Sequence, residues 1–340
     1  MKKKIALAYS GSLIDTLIIK WIQINTKMNI YILLFNLNKK DNISIVKNKI
    51  IKLGVKNIFI INKENIFIKK YIFSLLKNNF SENKIYFYVN LLLEFFIIKE
   101  LIKICFFFKI KYIFFNNYNN LKINFFNSKI KILNFYNFLN LNSKKKFLNF
   151  CFINHLKINN FYLNNNYKKN IFYLNKYVYY PLYLSLTFKN GIPIKINNKK
   201  YNFINLLIKL NNIGIISGIK TDSYLNYNYF SIKILLFVKK YLEIFILNKN
   251  ILNIKNKISK EYLLLIEKKN WWSNDRLFFQ NIINLTQKFI NGIIKIKIYN
   301  GNVFIIKKII NNVFYYKNNK NYLKLNFIEL INKKNINFFI

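Results

Sequence analysis

Apolar and polar residues follow two different periods along the first part of the chain. Short apolar runs at 4–9, 29–38 and 55–62 have the length of buried strands. Apolar residues recur at helical spacing after the first run. Residues 41–53 carry a second helical pattern, which ends at Gly54, where a left-handed helix cap is favourable. This alternation of strands and helices predicts a parallel sheet with right-handed crossovers.

The pattern changes after this unit. A long helix is predicted at about 90–108, and it leads to a strand at 110–116. From about 117 to 180 the chain is rich in Asn, and we expect loops and irregular helices there.

Two hairpins are predicted further along the chain. The stretch 183–203 has turn signals near Asn190-Gly191 and Asn197-Asn198. Residues 292–308 alternate apolar and polar side chains up to Asn300-Gly301, a dipeptide that favours the type I′ turn of a two-stranded hairpin. The predicted architecture is therefore an α/β domain followed by an α+β domain.

Composition changes this picture little. The 340 residues carry a formal net charge of +44, which would suit a polyanionic partner such as RNA or DNA. However, the chain is rich in Lys, Asn, Ile, Phe and Tyr, whose codons are rich in A and T, and its lysines are spread along the whole sequence. The charge is weak evidence for a nucleic-acid partner, and a basic nucleic-acid-binding protein stays as one alternative.

Cysteines and apolar runs indicate a soluble cytoplasmic protein. Cys105 and Cys151 lack the spacing of a metal site or a disulfide framework, so we expect no bound metal. The most apolar stretch, 91–115, is interrupted by charged residues and does not reach the roughly 18 apolar residues of a membrane span. The basic N-terminus is a poor signal peptide, and no membrane partner is expected.

Candidate chemistry lies in "LAYSGSLIDTLIIKW", residues 7–21. A loop that leaves a parallel strand and enters a helix presents free N–H groups and a positive dipole to a phosphate. The small residues at 10–12 allow a close approach, and Asp15 and Thr16 could position magnesium or a phosphate oxygen. The alternative is a tight turn capped by Ser, with Asp in the first helical turn. The P-loop pattern is absent, and both interpretations stay open at this point.

Several blocks of the sequence are similar to one enzyme family. "AYSGSLIDTLIIKW" resembles the start of argininosuccinate synthases, AYSGGLDTSVIIKW, which by itself is a general signature of ATP pyrophosphatases. "LTFKNGIPIKINNKK", "GIKT" and the segment 270–303 are similar to later blocks of the same family, in the same order. The matching positions in that segment are Trp271, Ser273, Arg276, Thr286, Gln287, Gly292, Lys297, Tyr299, Gly301 and Asn302.

The resemblance implies a fold and a reaction. It implies an adenine nucleotide alpha hydrolase-like, Rossmann-like ATP-binding domain at 1–165, a synthetase and multimerisation domain at 166–320, and a C-terminal helix at 321–340. It also implies a cytoplasmic homotetramer. ATP, with Mg²⁺, adenylates the ureido oxygen of citrulline and releases pyrophosphate. The amine of aspartate then displaces AMP. Such catalysis depends on positioning and charge stabilisation, so a protein nucleophile is not required.

The resemblance also implies site residues. The positions that correspond to ATP contacts are Ala8, Tyr9, Ser10, Gly11, Ser12, Leu13, Ile14, Asp15, Thr16, Leu37 and Asn117. Those that correspond to citrulline contacts are Tyr86, Leu91, Ile123, Asn127 and Tyr224, the last with Leu225 as an alternative. Those that correspond to aspartate contacts are Asn90, Asn119, Ile123 and Asn124.

The chain departs from the family pattern at several of these positions. Ser12 replaces a glycine, and Ile14 falls at the family's Asp unless a one-residue shift places Asp15 there. Asn90 replaces a Thr, and Asn127 replaces the Arg that binds citrulline. A family member that keeps the fold but has weakened catalysis is therefore a second alternative.

One consequence concerns charge. Asn can replace Asp or Thr as a hydrogen-bonding partner, but it cannot supply the positive charge of Arg. Lys122 and Lys129 are the nearby candidates for the missing cation.

Overall fold

The computed structural model describes residues 3–37, 43–114, 130–133, 152–153, 180–219 and 229–310. The predicted C-terminal helix at 321–340 and most of the Asn-rich region lie outside these ranges. Within them, no helix is long and apolar enough to cross a membrane.

The first part of the chain forms the predicted parallel sheet. Its strands are β1 (Lys4–Ala8), β2 (Asn29–Phe35), β3 (Asn57–Ile61), β4 (Tyr112–Phe114) and β5 (Lys131–Leu133). All neighbouring pairs are parallel, in the order β3-β2-β1-β4-β5. The prediction of an N-terminal α/β unit is confirmed.

Helices connect these strands. They are α1 (Leu13–Asn25), α2 (Ile43–Lys52), α3 (Glu64–Phe67), a π-helical turn (Ile68–Ile72), α4 (Phe73–Leu76), a 3₁₀ turn (Glu82–Lys84) and α5 (Ile85–Phe107). The helix predicted at about 90–108 thus begins earlier, at Ile85. Its first turns carry the buried side chains of Ile85, Tyr88 and Val89, so core packing extends the helix toward its N-terminus.

Side-chain alternation along the strands gives the parallel sheet two buried faces. Ile5 and Leu7 of β1 face one apolar cluster, which also holds Ile18 of α1 and Ile50 of α2. Ala6, between them, faces a second cluster that contains α5. The sheet is therefore covered on both sides, as expected for parallel strands.

The second part of the chain forms an antiparallel sheet with helices. Its strands are β6 (Leu182–Lys189), β7 (Ile192–Ile196), β8 (Lys199–Lys200), β9 (Gly292–Tyr299) and β10 (Asn302–Ile309), in the order β10-β9-β6-β7-β8. The helices are α6 (Phe203–Ile216), α7 (Tyr229–Ile246), α8 (Lys249–Glu267) and α9 (Asn274–Gln287). The three predicted turn dipeptides all have positive φ values, which confirms both hairpins.

The two parts share one core. The second cluster joins Phe67 and Phe95 of the first part to Leu186 of β6 and to Trp271, which follows α8. The Trp271 ring stacks on Tyr71 at 4.9 Å between ring centroids and on Phe95 at 5.7 Å. Trp271 therefore packs inside this core, and the core extends from the parallel sheet into the antiparallel one.

Candidate active site

The loop between β1 and α1 turns sharply over a glycine. Gly11 has a φ of 86°, in the left-handed region that favours glycine. The methyl carbons of Val46 lie 3.4 and 3.5 Å from the position that a side chain on Gly11 would take. The Val46 carbons stand at ordinary van der Waals distance, so it is the positive φ that favours glycine here.

Asp15 braces this loop from within the helix. Its Oδ2 atom accepts hydrogen bonds from the Ser10 backbone N–H at 2.8 Å and from the Ser10 hydroxyl at 2.6 Å. Asp15 is only 8% exposed, so its carboxylate is largely removed from solvent. These hydrogen bonds hold Ser10 in place. Asp15 is the residue that corresponds to the family's Asp if the one-residue shift applies.

A second brace joins Thr16 to the strand end. The Thr16 hydroxyl donates to the backbone carbonyl of Ser12 at 2.9 Å and lies 2.9 Å from the hydroxyl of Tyr9. Tyr9 itself is buried. Asp15 and Thr16 therefore both hold the loop in shape, whereas the sequence suggested contacts to magnesium or phosphate for them.

The N-terminus of α1 is directed at this loop. Ser12 is the N-cap residue, and its side chain accepts a hydrogen bond from the Asp15 N–H at 3.1 Å. The first N–H groups of a helix lack partners within the helix and carry partial positive charge. The capped turn and the phosphate cradle are thus compatible, because one cap bond leaves further first-turn donors for a ligand.

The loop lies at the point where the sheet reverses its order. The chain runs from β1 outward to β2 and β3, and then crosses to β4 on the other side of β1. Ligands of open α/β sheets bind in the crevice at the carboxyl ends of such strands. The predicted contact Leu37, buried just after β2, lies at this same edge.

Helix α5 extends past the sheet toward the same side. The Lys4 ammonium, at the start of β1, donates to the carbonyl of Phe108 at 2.9 Å, while Phe35, at the end of β2, packs on Phe96 at 5.9 Å between ring centroids. The helix therefore runs antiparallel to the strands. At about 1.5 Å per residue, Tyr86 lies about 15 Å beyond the level of Phe96.

The predicted substrate residues of α5 differ in their exposure. Tyr86 is 40% exposed and Asn90 is half-buried, and their four-residue spacing puts both on one face of the helix. Leu91 is buried in the shared core, so its side chain packs against apolar residues there. Tyr86 and Asn90 are therefore the described substrate candidates with access to the space above the sheet.

Acidic residues of this region pair with neighbouring helices. Glu94 lies 4.0 Å from the Lys269 ammonium. The Tyr88 hydroxyl donates to Glu267 at 2.7 Å. Burial, and then the Glu267 carboxylate, raise the pKa of Tyr88 well above its ordinary value. These pairs attach the upper half of α5 to α8 and the turn after it.

Other predicted site residues lie outside the described ranges. For Leu13 and Ile14 the structure describes the backbone alone, within the first turn of α1. The residues that lie outside are Asn117, Asn119, Lys122, Ile123, Asn124, Asn127, Lys129, Tyr224 and Leu225.

The sequence analysis did not identify a buried charge cluster centred on Glu243 of α7. This carboxylate pairs with Lys239 at 2.9 Å and with Lys255 of α8, and it accepts a hydrogen bond from Gln287 at 2.9 Å. Burial alone would raise the pKa of Glu243, but the two ammonium groups lower it to about 2. Both lysines also lie 3.4 Å from the Asn79 side-chain oxygen. The four-residue spacing of Lys239 and Glu243 in an apolar helix was the available signal.

Comparison with known proteins is consistent with this geometry. Residues 4–113 match the family model described as Arginosuccinate synthase N-terminal HUP domain, and residues 166–337 match Arginosuccinate synthase C-terminal domain. The argininosuccinate synthase of Carsonella ruddii (strain PV) is 34% identical, across 94% of this chain and 92% of that protein. Those of Pelagibacter ubique (strain HTCC1062) and Ehrlichia ruminantium (strain Welgevonden) are 26% and 25% identical, across 90% and 92% of this chain.

Proposed function

The chain belongs to the argininosuccinate synthase family, and from that membership we propose how its residues carry out the reaction. The enzyme is a ligase that condenses citrulline with aspartate and converts ATP to AMP and pyrophosphate. The observation that carries the assignment of the ATP site is the braced loop of residues 9–16, which lies at the sheet's switch point.

ATP binds with its phosphates at the N-terminus of α1. The first-turn N–H groups of the helix and the small loop residues Ser10, Gly11 and Ser12 receive the phosphate oxygens. Asp15 is a positioning residue, because its carboxylate holds Ser10 and is itself largely buried. The remaining ATP contacts from Ala8 to Thr16, with Leu37 and Asn117, complete the proposed nucleotide site.

Mg²⁺ enters this site as the counterion of ATP. Among the described residues, no group of three His, Cys, Asp or Glu side chains could hold a metal ion by itself. Asp15 and Thr16 are engaged within the loop. The residues present therefore fit a metal that is carried mainly by the substrate's phosphate oxygens.

Citrulline and aspartate bind above the sheet, beside the upper half of α5. Tyr86 contacts citrulline and Asn90 contacts aspartate, together with residues assigned from the family outside the described ranges. These are Ile123, Asn127 and Tyr224 for citrulline and Asn119, Ile123 and Asn124 for aspartate. Leu91 of α5, which is also assigned to citrulline, is buried in the shared core. Binding brings the ureido oxygen to the α-phosphate, and pyrophosphate leaves. The amine of aspartate then attacks the adenylated carbon, and AMP leaves.

Release of pyrophosphate by the purified enzyme tests this function. We expect sustained release over many turnovers only when ATP, citrulline and aspartate are all present, with argininosuccinate formed in equal amount; without aspartate, release should stop at no more than one equivalent per active site. Omission of either amino acid is the matched control. If the folded protein releases no pyrophosphate under any condition, the alternative of a family member that has lost catalysis is favoured. Tight RNA binding with a steep salt dependence would favour the nucleic-acid alternative.

The proposal extends to assembly and location. We place the enzyme in the cytoplasm as a homotetramer, with an ATP-binding domain at 1–165, a synthetase and multimerisation domain at 166–320 and a C-terminal helix at 321–340 that contacts neighbouring subunits. Cys105 is a free, buried thiol, and burial raises its pKa to about 12. Analytical ultracentrifugation tests the tetramer, and a monomeric mass at micromolar concentration would contradict it.

A further inference from the structure

Exposed lysines gather at the edge of the parallel sheet where its strands begin, which we call the amino edge. All five strands are parallel, so residues that precede them become neighbours there although they are far apart in sequence. Each strand begins at or just after an exposed lysine. In the order β3-β2-β1-β4-β5 across the sheet, these are Lys56, Lys27, Lys3, Lys111 and Lys131. Neighbouring strands lie about 4.8 Å apart, so this lysine band is about 20 Å long.

A pair of exposed aromatic residues lies beside the lysine band. Helix α5 runs antiparallel to the strands and therefore ends at the amino edge, where Phe106 is exposed and Phe107 is 81% exposed. The next residue, Phe108, is anchored under the sheet, with its ring 5.3 Å from that of Tyr31 and 5.0 Å from that of Phe59. The Phe107 ring packs edge-on against Phe108 at 4.8 Å between centroids. The exposed ring is thus held by an anchored neighbour.

The positive charge of the amino edge is not offset by acidic residues nearby. Lys109, two residues after Phe107, adds a sixth exposed ammonium group. The chain segments that form this edge lie within stretches that contain no Asp or Glu, namely 1–14, 16–40, 42–63 and 101–221. Three helices, α1, α2 and α5, end at the edge, and one cation near each end is enough to balance a helix dipole. Six exposed lysines therefore exceed what the helix ends require.

We propose that the amino edge binds single-stranded nucleic acid, with the lysine band on the phosphates and Phe107 stacked on a base. A row of cations suits a linear polyanion, and an exposed aromatic ring offers a stacking surface to any base. An anionic membrane is a poorer match, because binding at the bilayer interface depends on a broad apolar face and the edge offers one aromatic pair.

This function is additional to the synthase reaction and does not rest on it. The loop of residues 9–16 that we assign to ATP follows β1, at the opposite, carboxyl edge of the sheet. The lysines are spread along the sequence, and the parallel topology brings them together. Both activities can therefore be carried by one folded chain, and each can be tested without the other.

Salt dependence of oligonucleotide binding tests the role of the lysine band. The probe is a fluorescein-labelled oligouridine of about 12 nucleotides, followed by anisotropy at several KCl concentrations. Each neutralised phosphate of a single strand contributes about −0.7 to the slope of log K against log salt, so five contacts predict a slope of about −3.5. Replacing Lys27, Lys56 and Lys131 together by Gln should make the slope shallower by about 2.

A second triple variant is the matched control. It removes the same charge from three exposed lysines of α8, which are Lys249, Lys257 and Lys260. We expect this control to keep the slope of wild type. Both triple variants should release pyrophosphate at a rate within about twofold of wild type, because neither alters the ATP loop.

The aromatic contact has its own variant. Phe107→Ala should weaken oligouridine binding about 10-fold or more and leave the salt slope unchanged, because stacking carries no charge. Phe304→Ala is the control, since Phe304 is an exposed aromatic residue of β10 in the other sheet. An equal loss of binding in both variants would contradict a specific role for Phe107.

The remaining outcomes separate this proposal from its rivals. It is overturned if wild type shows no salt-dependent binding, or if the two triple variants change the slope equally. Binding to vesicles of phosphatidylserine and phosphatidylcholine without binding to oligouridine also overturns it, since a membrane is then the partner. Oligouridine binding together with pyrophosphate release supports an additional function and opposes the alternative of a nucleic-acid-binding protein that is no synthase.

Discussion

Asp15 belongs to the first turn of α1, yet its carboxylate bonds backward to Ser10 in the loop. A helix whose first turn carries an acid gains from the dipole, and here the same acid also shapes the ligand loop. From the sequence, Ile14 and Asp15 were both open as the counterpart of the family's Asp. Only the geometry gives Asp15 a partner, because hydrogen-bond distances within a turn cannot be obtained from spacing alone.

Asp15→Asn should weaken ATP binding. Hydrogen bonds to a charged group contribute about 1.5–3 kcal/mol, so we expect the KM for ATP to rise roughly 10- to 100-fold. Asp275→Asn is the control, since Asp275 is an exposed acid in the first turn of α9. An ATP KM that changes equally in both variants would contradict a specific role for Asp15.

Glu243 and Lys255 should respond in opposite ways to substitution. Glu243→Gln leaves two buried ammonium groups without a carboxylate, and we expect it to lower the free energy of unfolding by about 3–5 kcal/mol. Lys255→Met removes one ammonium while Lys239 still balances Glu243, so the free energy of unfolding should stay within about 1 kcal/mol of wild type or rise. Urea unfolding at pH 7 measures both. If both variants lose the same free energy of unfolding, Glu243 is no more important to the cluster than Lys255, and the prediction is wrong.

Acid titration gives the same cluster an independent test. The pKa of Glu243 is about 2 in the folded state, below its ordinary value of 4.5. Its charge therefore stabilises the folded state above about pH 4.5, and this contribution is lost as the pH falls toward 2. The difference in stability between wild type and Glu243→Gln should narrow across that range. If the difference in the free energy of unfolding between the two proteins stays constant from pH 6 to pH 2.5, the lowered pKa of Glu243 does not contribute to stability.

Helix caps illustrate how elements follow from local chemistry. Ser12 caps α1 and Asn202 caps α6, each accepting a hydrogen bond from the N–H three residues on. The Asn-Gly turns were likewise predictable, because their backbone conformation is a local preference. The start of α5 was not, since Ile85 and Tyr88 gain their helical state from burial against distant elements.

Ser12→Ala and Asn202→Ala should separate capping from ligand binding. Each loses one N-cap bond, so each should lower the free energy of unfolding by about 1 kcal/mol. Only Ser12→Ala should also raise the KM for ATP, because Ser12 lies in the phosphate loop. Thermal melting and ATP kinetics on both variants check this. If Asn202→Ala also raises the KM for ATP, the rise in Ser12→Ala reflects lost stability and not a lost contact with ATP.

At the scale of the whole molecule, the two sheets depend on a common core. Trp271 lies between Tyr71 and Phe95, nearly two hundred residues away in sequence, and the Arg276 guanidinium covers its ring at 4.3 Å. The sequence predicted a parallel sheet followed by an α+β part, and both are confirmed. It did not predict their shared interior, because apolar periodicity identifies the buried face of an element but not its distant partner.

Trp271→Ala should therefore destabilise both sheets together. Removal of a buried aromatic side chain costs about 3–5 kcal/mol. We expect a single unfolding transition at lower urea concentration. Far-UV circular dichroism and the fluorescence of Trp21 in α1, measured with Trp272 also replaced by Phe so that Trp21 is the remaining tryptophan, should report the same midpoint. If Trp21 reports a transition unchanged from wild type, the first sheet unfolds independently and the common core does not couple the two parts.

The shared core also determines when the protein can fold during its synthesis. The described residues that form the face of the parallel sheet under α1 and α2 have all been made once Leu133 is synthesised. The opposite face needs Trp271, and the core around it closes with β9, which ends at Tyr299. Most of the chain must therefore have been synthesised before the apolar surface of α5 is covered. During synthesis the nascent chain exposes the apolar surface of α5 for many seconds. We therefore expect chaperones to bind mainly the nearly complete polypeptide.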